Sequence, residues 1–348
     1  MKVMNKENFE RIIDGRKVSL YSLKNSKGTS LSITNYGCRI VSLVVQNKNG
    51  EPVNVVLGFD SLEAYQEVSG IYFGATIGRY ANRIANGRFS LATNDYELAK
   101  NNYPNHLHGG PGGFHSKVWK VESFTGNKID LSYCSPDGEE GYPGNLQVKT
   151  GFELTEENEV FISYEAESDE ATIINLTNHA YFNLNGRKSG TILHHVLQIN
   201  ADLFSAVDEN LIPIGSVPVV NSPFDFRTPK QIGEHIRDDN EQLKLGNGYD
   251  HNYVLPGSAE SLPLVARAEG NTSGIIMEVL TDQPGMQFYT ANFLEDKNLT
   301  HAEIPDEFRS AFCLETQHFP DSPNHAEYPT TVLEPGDVFH SKTVYRFI

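Results

Sequence analysis

The chain has 348 residues, with 28 lysines and arginines against 45 aspartates and glutamates, so its formal net charge is −17. This charge argues against nucleic acid and anionic lipid as partners, because both bind through basic patches. With 39% hydrophobic and 21% charged residues the chain is not disordered, and its length allows two domains or one large all-β domain.

The cysteines and the N-terminus bear on the compartment. Cys38, Cys134 and Cys313 show no CxxC spacing, which predicts free thiols and neither a disulfide framework nor a zinc site. The N-terminal residues lack the apolar run of an export signal, and no stretch reaches the ~18 apolar residues of a membrane span. We therefore expect a cytoplasmic protein that has no membrane partner.

Short runs of alternating apolar and polar residues, bounded by Gly, Pro, Asn or Asp, predict β-strands. They occupy residues 17–23, 30–34, 40–45, 147–154, 160–166, 171–176 and 274–280. Helices are predicted only at 61–67, with Asp60 or Ser61 as the cap, and more weakly at 231–243. Many short strands without a dividing linker are typical of a β-sandwich or barrel, so we predict one all-β domain over 1–348.

The first polar cluster is Gly78-Arg79-Tyr80-Ala81-Asn82-Arg83-Ile84. In an extended segment Arg79 and Arg83 would share one face, and Asn82 would lie on the other. Guanidinium and amide groups suit hydroxyl-rich ligands and carboxylates, although surface ion pairs would give the same pattern.

A second cluster, Asn105-His106-Leu107-His108-Gly109-Gly110, contains two histidines. On a strand His106 and His108 would lie on one face, about 6–7 Å apart, which permits a shared metal. No carboxylate follows at short spacing to complete a metal site, so a metal centre is the weaker interpretation.

Three further polar residues stand among aromatic and amide neighbours. His179, within 175–185, has a side chain that transfers protons near neutral pH, although a buried structural histidine would look the same. Asp250 suits a pair of sugar hydroxyls, or it caps a turn. Gln287 lies in Gln283-Pro284-Gly285-Met286-Gln287-Phe288-Tyr289, which combines polar contacts with ring stacking.

The run from Leu314 to Asn324 is the most distinctive in the sequence. Glu315 follows the apolar residues 311–314, so we expect it to emerge from a buried strand. Desolvation there would raise its pKa and make it a suitable base. An exposed glutamate at a strand end is the alternative.

Taken together, these runs resemble the aldose 1-epimerase (galactose mutarotase) family, in family order and over essentially the whole chain. The segments that carry the resemblance are 78–84, 105–110, 177–179 with 181–184, 248–251, 283–289 and 314–324. The resemblance implies a large β-sandwich (the galactose mutarotase-like supersandwich) with few short helices, whose open face binds a hexose. It implies interconversion of the α and β anomers of hexoses such as galactose and glucose, with no cofactor and no metal.

The resemblance also assigns roles to individual residues. Glu315 corresponds to the base, His179 to the acid, and His108 to a histidine that reaches the sugar ring. The sugar hydroxyls are bound by the residues that correspond to Asn82, Arg83, Asp250 and Gln287. The chemistry needs such a pair, because ring opening removes the C1 hydroxyl proton and delivers a proton to the ring oxygen.

Three other functions remain open at this point. A non-catalytic carbohydrate-binding sandwich would need the same polar contacts but no base paired with an acid. A phosphohexose epimerase would need a cation cluster, for which Arg79 and Arg83 are the candidates. A metalloenzyme would be built on His106 and His108. For the partner we expect a small aldose, and for the assembly a monomer or homodimer, since no coiled coil or apolar interface segment is evident.

Overall fold

Antiparallel β-structure dominates the computed structural model, which describes residues 4–68, 70–256, 262–295, 297–300 and 304–348. Residues 1–3, part of the N-terminal stretch that lacks an apolar run, lie outside these ranges. The strands, in chain order, are β1 Arg11–Ile13, β2 Arg16–Val18, β3 Leu20–Lys24, β4 Ser30–Thr34, β5 Arg39–Gln46, β6 Pro52–Asn54, β7 Ala75–Ile77, β8 Arg83–Ile84, β9 Arg88–Leu91, β10 Asn94–Glu97, β11 His106–Leu107, β12 Lys120–Phe124, β13 Lys128–Ser135, β14 Leu146–Leu154, β15 Glu159–Ser168, β16 Thr172–Ile173, β17 Thr177–His179, β18 Val196–Ile199, β19 Leu203–Val207, β20 Pro213–Pro218, β21 Lys230–Gln231, β22 Asp250–Val254, β23 Leu264–Glu269, β24 Ile276–Thr281, β25 Gly285–Tyr289, β26 Leu299–Thr300, β27 Ile304–Pro305, β28 Cys313–Gln317, β29 Val332–Leu333 and β30 Phe339–Phe347.

The α-helices are short. Helix α1 spans Leu62–Glu67 and is capped by Ser61, whose Oγ accepts a hydrogen bond from the Ala64 amide at 3.3 Å. Helix α2 spans Glu241–Leu245, so the weaker helix prediction over 231–243 is wrong for most of its length. Single 3-10 turns occur at Lys6–Phe9, Ala85–Gly87, Phe114–Ser116, Glu139–Gly141 and Ser322–Asn324. Among the described residues, no helix combines the length and apolar character that a membrane crossing requires.

Two large antiparallel sheets, together with the four-stranded sheet β3-β4-β5-β6, contribute the main hydrophobic core. The larger has the strand order β12-β13-β14-β15-β30-β24-β23-β18-β21, and the smaller has β20-β19-β22-β25-β28. Apolar side chains of both sheets belong to one buried cluster, and the Tyr345 hydroxyl on β30 donates to the Leu314 carbonyl on β28 at 3.0 Å. The prediction of a large all-β sandwich with few short helices is confirmed.

The strand predictions are correct where the predicted segment pairs with one neighbouring strand along its whole length. Residues 30–34 form β4, and 40–45, 147–154 and 160–166 lie within β5, β14 and β15. Residues 171–176 give only β16, because the segment changes partners at successive residues. The Ile174 amide donates to Thr331, whereas the Asn175 amide donates to Arg79.

Buried histidines make the folded state sensitive to acid. Burial lowers the pKa of six histidines: to about 4 for His106, His195 and His318, and to about 3 for His115, His179 and His251. Histidines in an unfolded chain titrate near pH 6.5, so below that pH the unfolded state binds more protons than the folded state. The contribution of these neutral histidines to the unfolding free energy is therefore complete above about pH 6.5, and it is lost as the pH falls towards their folded pKa values.

We expect His195→Gln to reduce the dependence of the unfolding free energy on pH. Between about pH 6 and pH 4.5 the slope should fall by close to one proton, or about 1.4 kcal/mol per pH unit. Denaturant unfolding at several pH values measures this slope. The control is His340→Gln at an exposed position of β30, which should leave the slope unchanged. A slope in His195→Gln equal to that of the unsubstituted chain would contradict the explanation.

Candidate active site

Three adjacent strands of the smaller sheet bring predicted polar residues together. Glu315 lies at the centre of β28, within the strand rather than beyond its end, and is 2% exposed. Its register partner is Gln287 on β25, and β25 in turn pairs with β22, which begins at Asp250. Side chains of directly paired residues lie on one face of a sheet. Asp250 lies two residues before Asn252, the register partner of Gln287, so it is on the same face, and the Gln287 Nε2 atom donates to Asp250 Oδ1 at 2.7 Å.

The two predicted proton-transfer groups lie side by side. His179 ends β17, and its Nε2 atom is 3.5 Å from Oε2 of Glu315. Both side chains are nearly buried, and the ring centre of His108 is 5.2 Å from that of His179. A carboxyl and two imidazoles therefore lie close together in the site. A bound ligand can shorten the 3.5 Å distance between His179 and Glu315.

Asn82 and His108 are hydrogen-bonded to each other beside the antiparallel pair of β8 and β11. The His108 amide donates to the Asn82 carbonyl at 3.0 Å, and the Asn82 amide donates to His108 Nδ1 at 3.1 Å. Both residues have positive φ, 65° and 52°, so neither continues a strand. The predictions of an extended segment through Asn82, and of a strand face shared by His106 and His108, are therefore wrong.

His106 and Arg79 serve the scaffold rather than the site. Both ring nitrogens of His106 are engaged, one by the Ala99 carbonyl and one by the Tyr142 hydroxyl, each at 2.7 Å. Arg79 is buried and donates to two backbone carbonyls at 2.6 and 3.0 Å and to Ser135 Oγ at 2.7 Å. His106 with His108 is therefore not available as a metal pair, and Arg79 with Arg83 is not available as a phosphate pair, so the two alternatives built on these pairs lose their support.

The converging groups line a cavity of about 360 Å³. Arg83 enters it between two partners, with Nε donating to Asn102 Oδ1 at 3.1 Å and Nη2 lying 3.9 Å from Asp250 Oδ2. The seven residues that the resemblance assigns to the site all line this cavity: Asn82, Arg83, His108, His179, Asp250, Gln287 and Glu315.

Three buried tyrosines of the same cavity have no role in the sequence-based prediction. They are Tyr72, Tyr181 and Tyr289. Two of them carried a usable signal, since Tyr181 follows His179 by two residues and Tyr289 follows Gln287 by two. In extended segments that spacing puts both members on one face. Tyr72 lies outside every segment that the sequence singled out.

A buried amide fixes the relative position of the segments that carry the site. Asn175, just before β17, is fully buried. Its Nδ2 donates to the Ala81 carbonyl at 3.1 Å and to the His318 carbonyl at 3.2 Å, while its Oδ1 accepts from the His318 amide at 2.9 Å. Ala81 precedes Asn82, and His318 follows β28. One side chain therefore joins the three segments that carry Asn82, His179 and Glu315.

The surroundings shift the pKa values of Glu315 and His179 in opposite directions. Burial raises the pKa of Glu315 well above its usual range, the Asp250 charge raises it further, and Arg83 opposes both. Burial lowers the pKa of His179. A single proton shared by this pair is therefore held by the carboxyl while the cavity has no ligand.

His108, His179 and Glu315 each offer a ligand atom within 4.8 Å of the others, so a divalent cation must be considered. The His108 ring is not arranged for that task. Its Nδ1 accepts the Asn82 amide, so the neutral ring carries its proton on Nε2. A metal-binding histidine has the opposite arrangement, donating from the nitrogen that does not bind the ion. The ring suits a hydrogen-bond donor to a ligand.

The chain is similar to known proteins over most of its length. A family model described as aldose 1-epimerase matches residues 19–346. Galactose mutarotase from Homo sapiens is 44% identical over 320 residues, which cover 91% of this chain and 90% of that protein. Aldose 1-epimerase from Escherichia coli K12 is 36% identical over 338 residues, 96% of each chain. The crystal structure of galactose 1-epimerase from Lactobacillus acidophilus matches with a TM-score of 0.84 and 29% identity, over 97% of this chain and 96% of that one.

Replacing the joining amide should destabilise the fold. Asn175→Ala leaves two buried carbonyls and one buried amide without their partner, at about 1–3 kcal/mol for each group. We expect a loss of at least about 2 kcal/mol in the unfolding free energy, measured by urea titration. The matched control, Asn94→Ala at an exposed position of β10, should change it by less than about 0.5 kcal/mol. Equal effects of the two substitutions would contradict the role given to Asn175.

Proposed function

The chain belongs to the aldose 1-epimerase family and is an isomerase, and we propose that Glu315 and His179 perform its reaction, the interconversion of the α and β anomers of free aldoses such as galactose and glucose. The 3.5 Å approach of a buried carboxyl to a buried imidazole, inside a cavity lined with hydrogen-bonding groups, carries this proposal. A protein that only binds sugar has no use for such a pair, since burying two ionisable groups is costly.

The reaction needs two proton transfers in each direction. The Glu315 carboxylate removes the proton of the C1 hydroxyl, and the His179 imidazolium gives a proton to the ring oxygen. The bond between C1 and the ring oxygen breaks, which leaves an aldehyde at C1 and a hydroxyl at C5. After rotation about the C1–C2 bond the hydroxyl attacks the other face of the aldehyde, and both groups reverse their roles.

Burial assists this proton exchange. The reactive state has a carboxylate beside an imidazolium, and ring opening converts it to a carboxylic acid beside a neutral imidazole, with one proton on the pair throughout. A raised pKa at Glu315 and a lowered pKa at His179 both favour the second state. Burial therefore favours both proton transfers once the carboxylate and the imidazolium have formed, although that arrangement of the shared proton is itself the less stable one.

His108 acts as a fixed donor. Because its Nδ1 accepts a hydrogen bond from the Asn82 amide, its Nε2–H is free to donate to a sugar in the cavity. Burial also lowers the pKa of His108, so the ring is neutral when it donates. Such a donor stabilises the negative charge that develops on the ring oxygen during opening and reclosure.

The other lining groups suit a neutral sugar. Asn82, Arg83, Asp250 and Gln287 offer the donors and acceptors that ring hydroxyls need. Of the described residues that line the cavity, Arg83 is the one lysine or arginine, and it is already engaged by Asn102 and lies close to Asp250. A phosphate group would meet too little positive charge, so free aldoses fit better than phosphohexoses.

Glu315→Gln should abolish most of the turnover while sugar binding persists. An amide of the same size fills the same space but does not accept the C1 proton, so we expect kcat to fall by roughly 10²–10⁴-fold. Polarimetry of freshly dissolved α-galactose measures the rate, and calorimetry measures the binding. Glu209→Gln, the same substitution at an exposed residue of the cavity rim, should keep kcat within an order of magnitude. Near-normal turnover in Glu315→Gln would show that another group is the base.

The pH profile of kcat/KM should be bell-shaped, because the pair works only while it carries one proton. A second proton must go to an imidazole with a lowered pKa, which sets the acidic limb below pH 6.5. Loss of the shared proton from a carboxyl with a raised pKa sets the alkaline limb well above pH 4.5. Mutarotation rates corrected for the spontaneous reaction test this from about pH 3 to about pH 9. An acidic limb centred above pH 6.5 would exclude His179 as described.

A further inference from the structure

The proton donor His179 lacks the partner that usually stabilises a positively charged imidazole. Its Nδ1 atom has no partner of ordinary hydrogen-bond geometry among the described residues, and the acceptor that favours its proton is its own backbone carbonyl. Its other nitrogen faces Glu315 at 3.5 Å. Within the described part of the chain, no carboxylate other than Glu315 lies against the ring to stabilise its positive charge.

Two tyrosine rings cover this imidazole instead. The Tyr181 ring stacks on it with a centroid distance of 4.9 Å and an angle of 10° between the planes. The Tyr72 ring is also nearly parallel, at 5.8 Å and 20°. The face of an aromatic ring is negative and attracts a cation within about 6 Å of its centre.

We propose that Tyr72 and Tyr181 are positioning residues whose ring faces stabilise the imidazolium form of His179. This inference rests on the proposed function, because it explains how a buried histidine acquires the proton that it must deliver to the sugar ring. The tyrosines act through His179, and their rings rather than their hydroxyls are the active feature.

The remaining groups around His179 do not take over this role. Tyr289 and His108 meet the ring at 86° and 73°, so they do not stack face to face with it. The Arg39 charge, from β5, opposes protonation of His179. Glu315 favours the imidazolium only while it is itself ionised. As ring opening begins to protonate Glu315, the stacked faces of Tyr72 and Tyr181 are the groups that still stabilise the positive charge on His179.

Substitutions at Tyr181 separate the ring from the hydroxyl. Tyr181→Leu should lower kcat by roughly 2- to 30-fold, with KM much less affected. The acidic limb of the pH profile should move to lower pH by about 0.4–1.5 units, while the alkaline limb stays in place. Tyr181→Phe keeps the ring face and should keep both the rate and the acidic limb. If Tyr181→Phe loses as much activity as Tyr181→Leu, the hydroxyl is responsible and the inference is wrong.

A second measurement does not depend on turnover. In Glu315→Gln the His179 imidazole titrates without its coupled partner, and its pKa can be followed by NMR of the ring. Adding Tyr181→Leu should lower that pKa further, and adding Tyr72→Leu should lower it less, because that ring is more distant. An unchanged pKa in both double variants would overturn the inference. If the unsubstituted chain shows no mutarotation, the proposed function fails, and the NMR titration still measures the effect of the rings.

Phe73→Leu is the matched control. This buried ring meets Tyr181 edge to face at 4.8 Å and does not line the cavity. Its loss loosens the same aromatic cluster and should reduce stability, but it should leave the acidic limb where it is. A shift of the acidic limb in Phe73→Leu as large as that in Tyr181→Leu would attribute the effect to packing and overturn the inference.

Discussion

A carboxyl and an imidazole buried 3.5 Å apart are the constraint on which the rest of the site depends. Neither group is neutralised by a dedicated partner, so burial moves their proton affinities in opposite directions. Most proteins avoid this arrangement, because an unpaired buried charge is costly. In the proposed mechanism it is useful, because the two groups exchange protons with a sugar bound in the cavity beside them.

The scaffold keeps these groups in place through backbone contacts rather than through ion pairs. Register pairing of β25 with β28 places Gln287 beside Glu315, and Gln287 in turn holds Asp250 of β22 through a hydrogen bond. The Asn175 side-chain amide ties the segment before His179 to Ala81 and His318. Rigid strands allow little relaxation, so the geometry is present before any sugar enters. Preorganisation of this kind lowers the cost of reaching the transition state.

Much of this arrangement was accessible from the sequence. Alternating patterns predicted the long strands β5, β14 and β15 but not the long strands β13 and β30. The resemblance selected seven residues that all line one cavity. The pattern failed where the chain changes partners, as at Asn175, and where Asn82 and His108 adopt positive φ. Those conformations depend on contacts between segments far apart in the chain, which local periodicity does not record. Tyr72 was missed for the same reason.

The most direct test of the central claim is the mutarotation of freshly dissolved α-galactose and α-glucose, followed by polarimetry in the presence of excess chelator. If Glu315 and His179 exchange protons with the sugar as described, the approach to equilibrium is much faster than in water and is unaffected by the chelator. A rate equal to the spontaneous one, or an acceleration that disappears on chelation, would contradict an acid–base mechanism carried by the protein's own side chains.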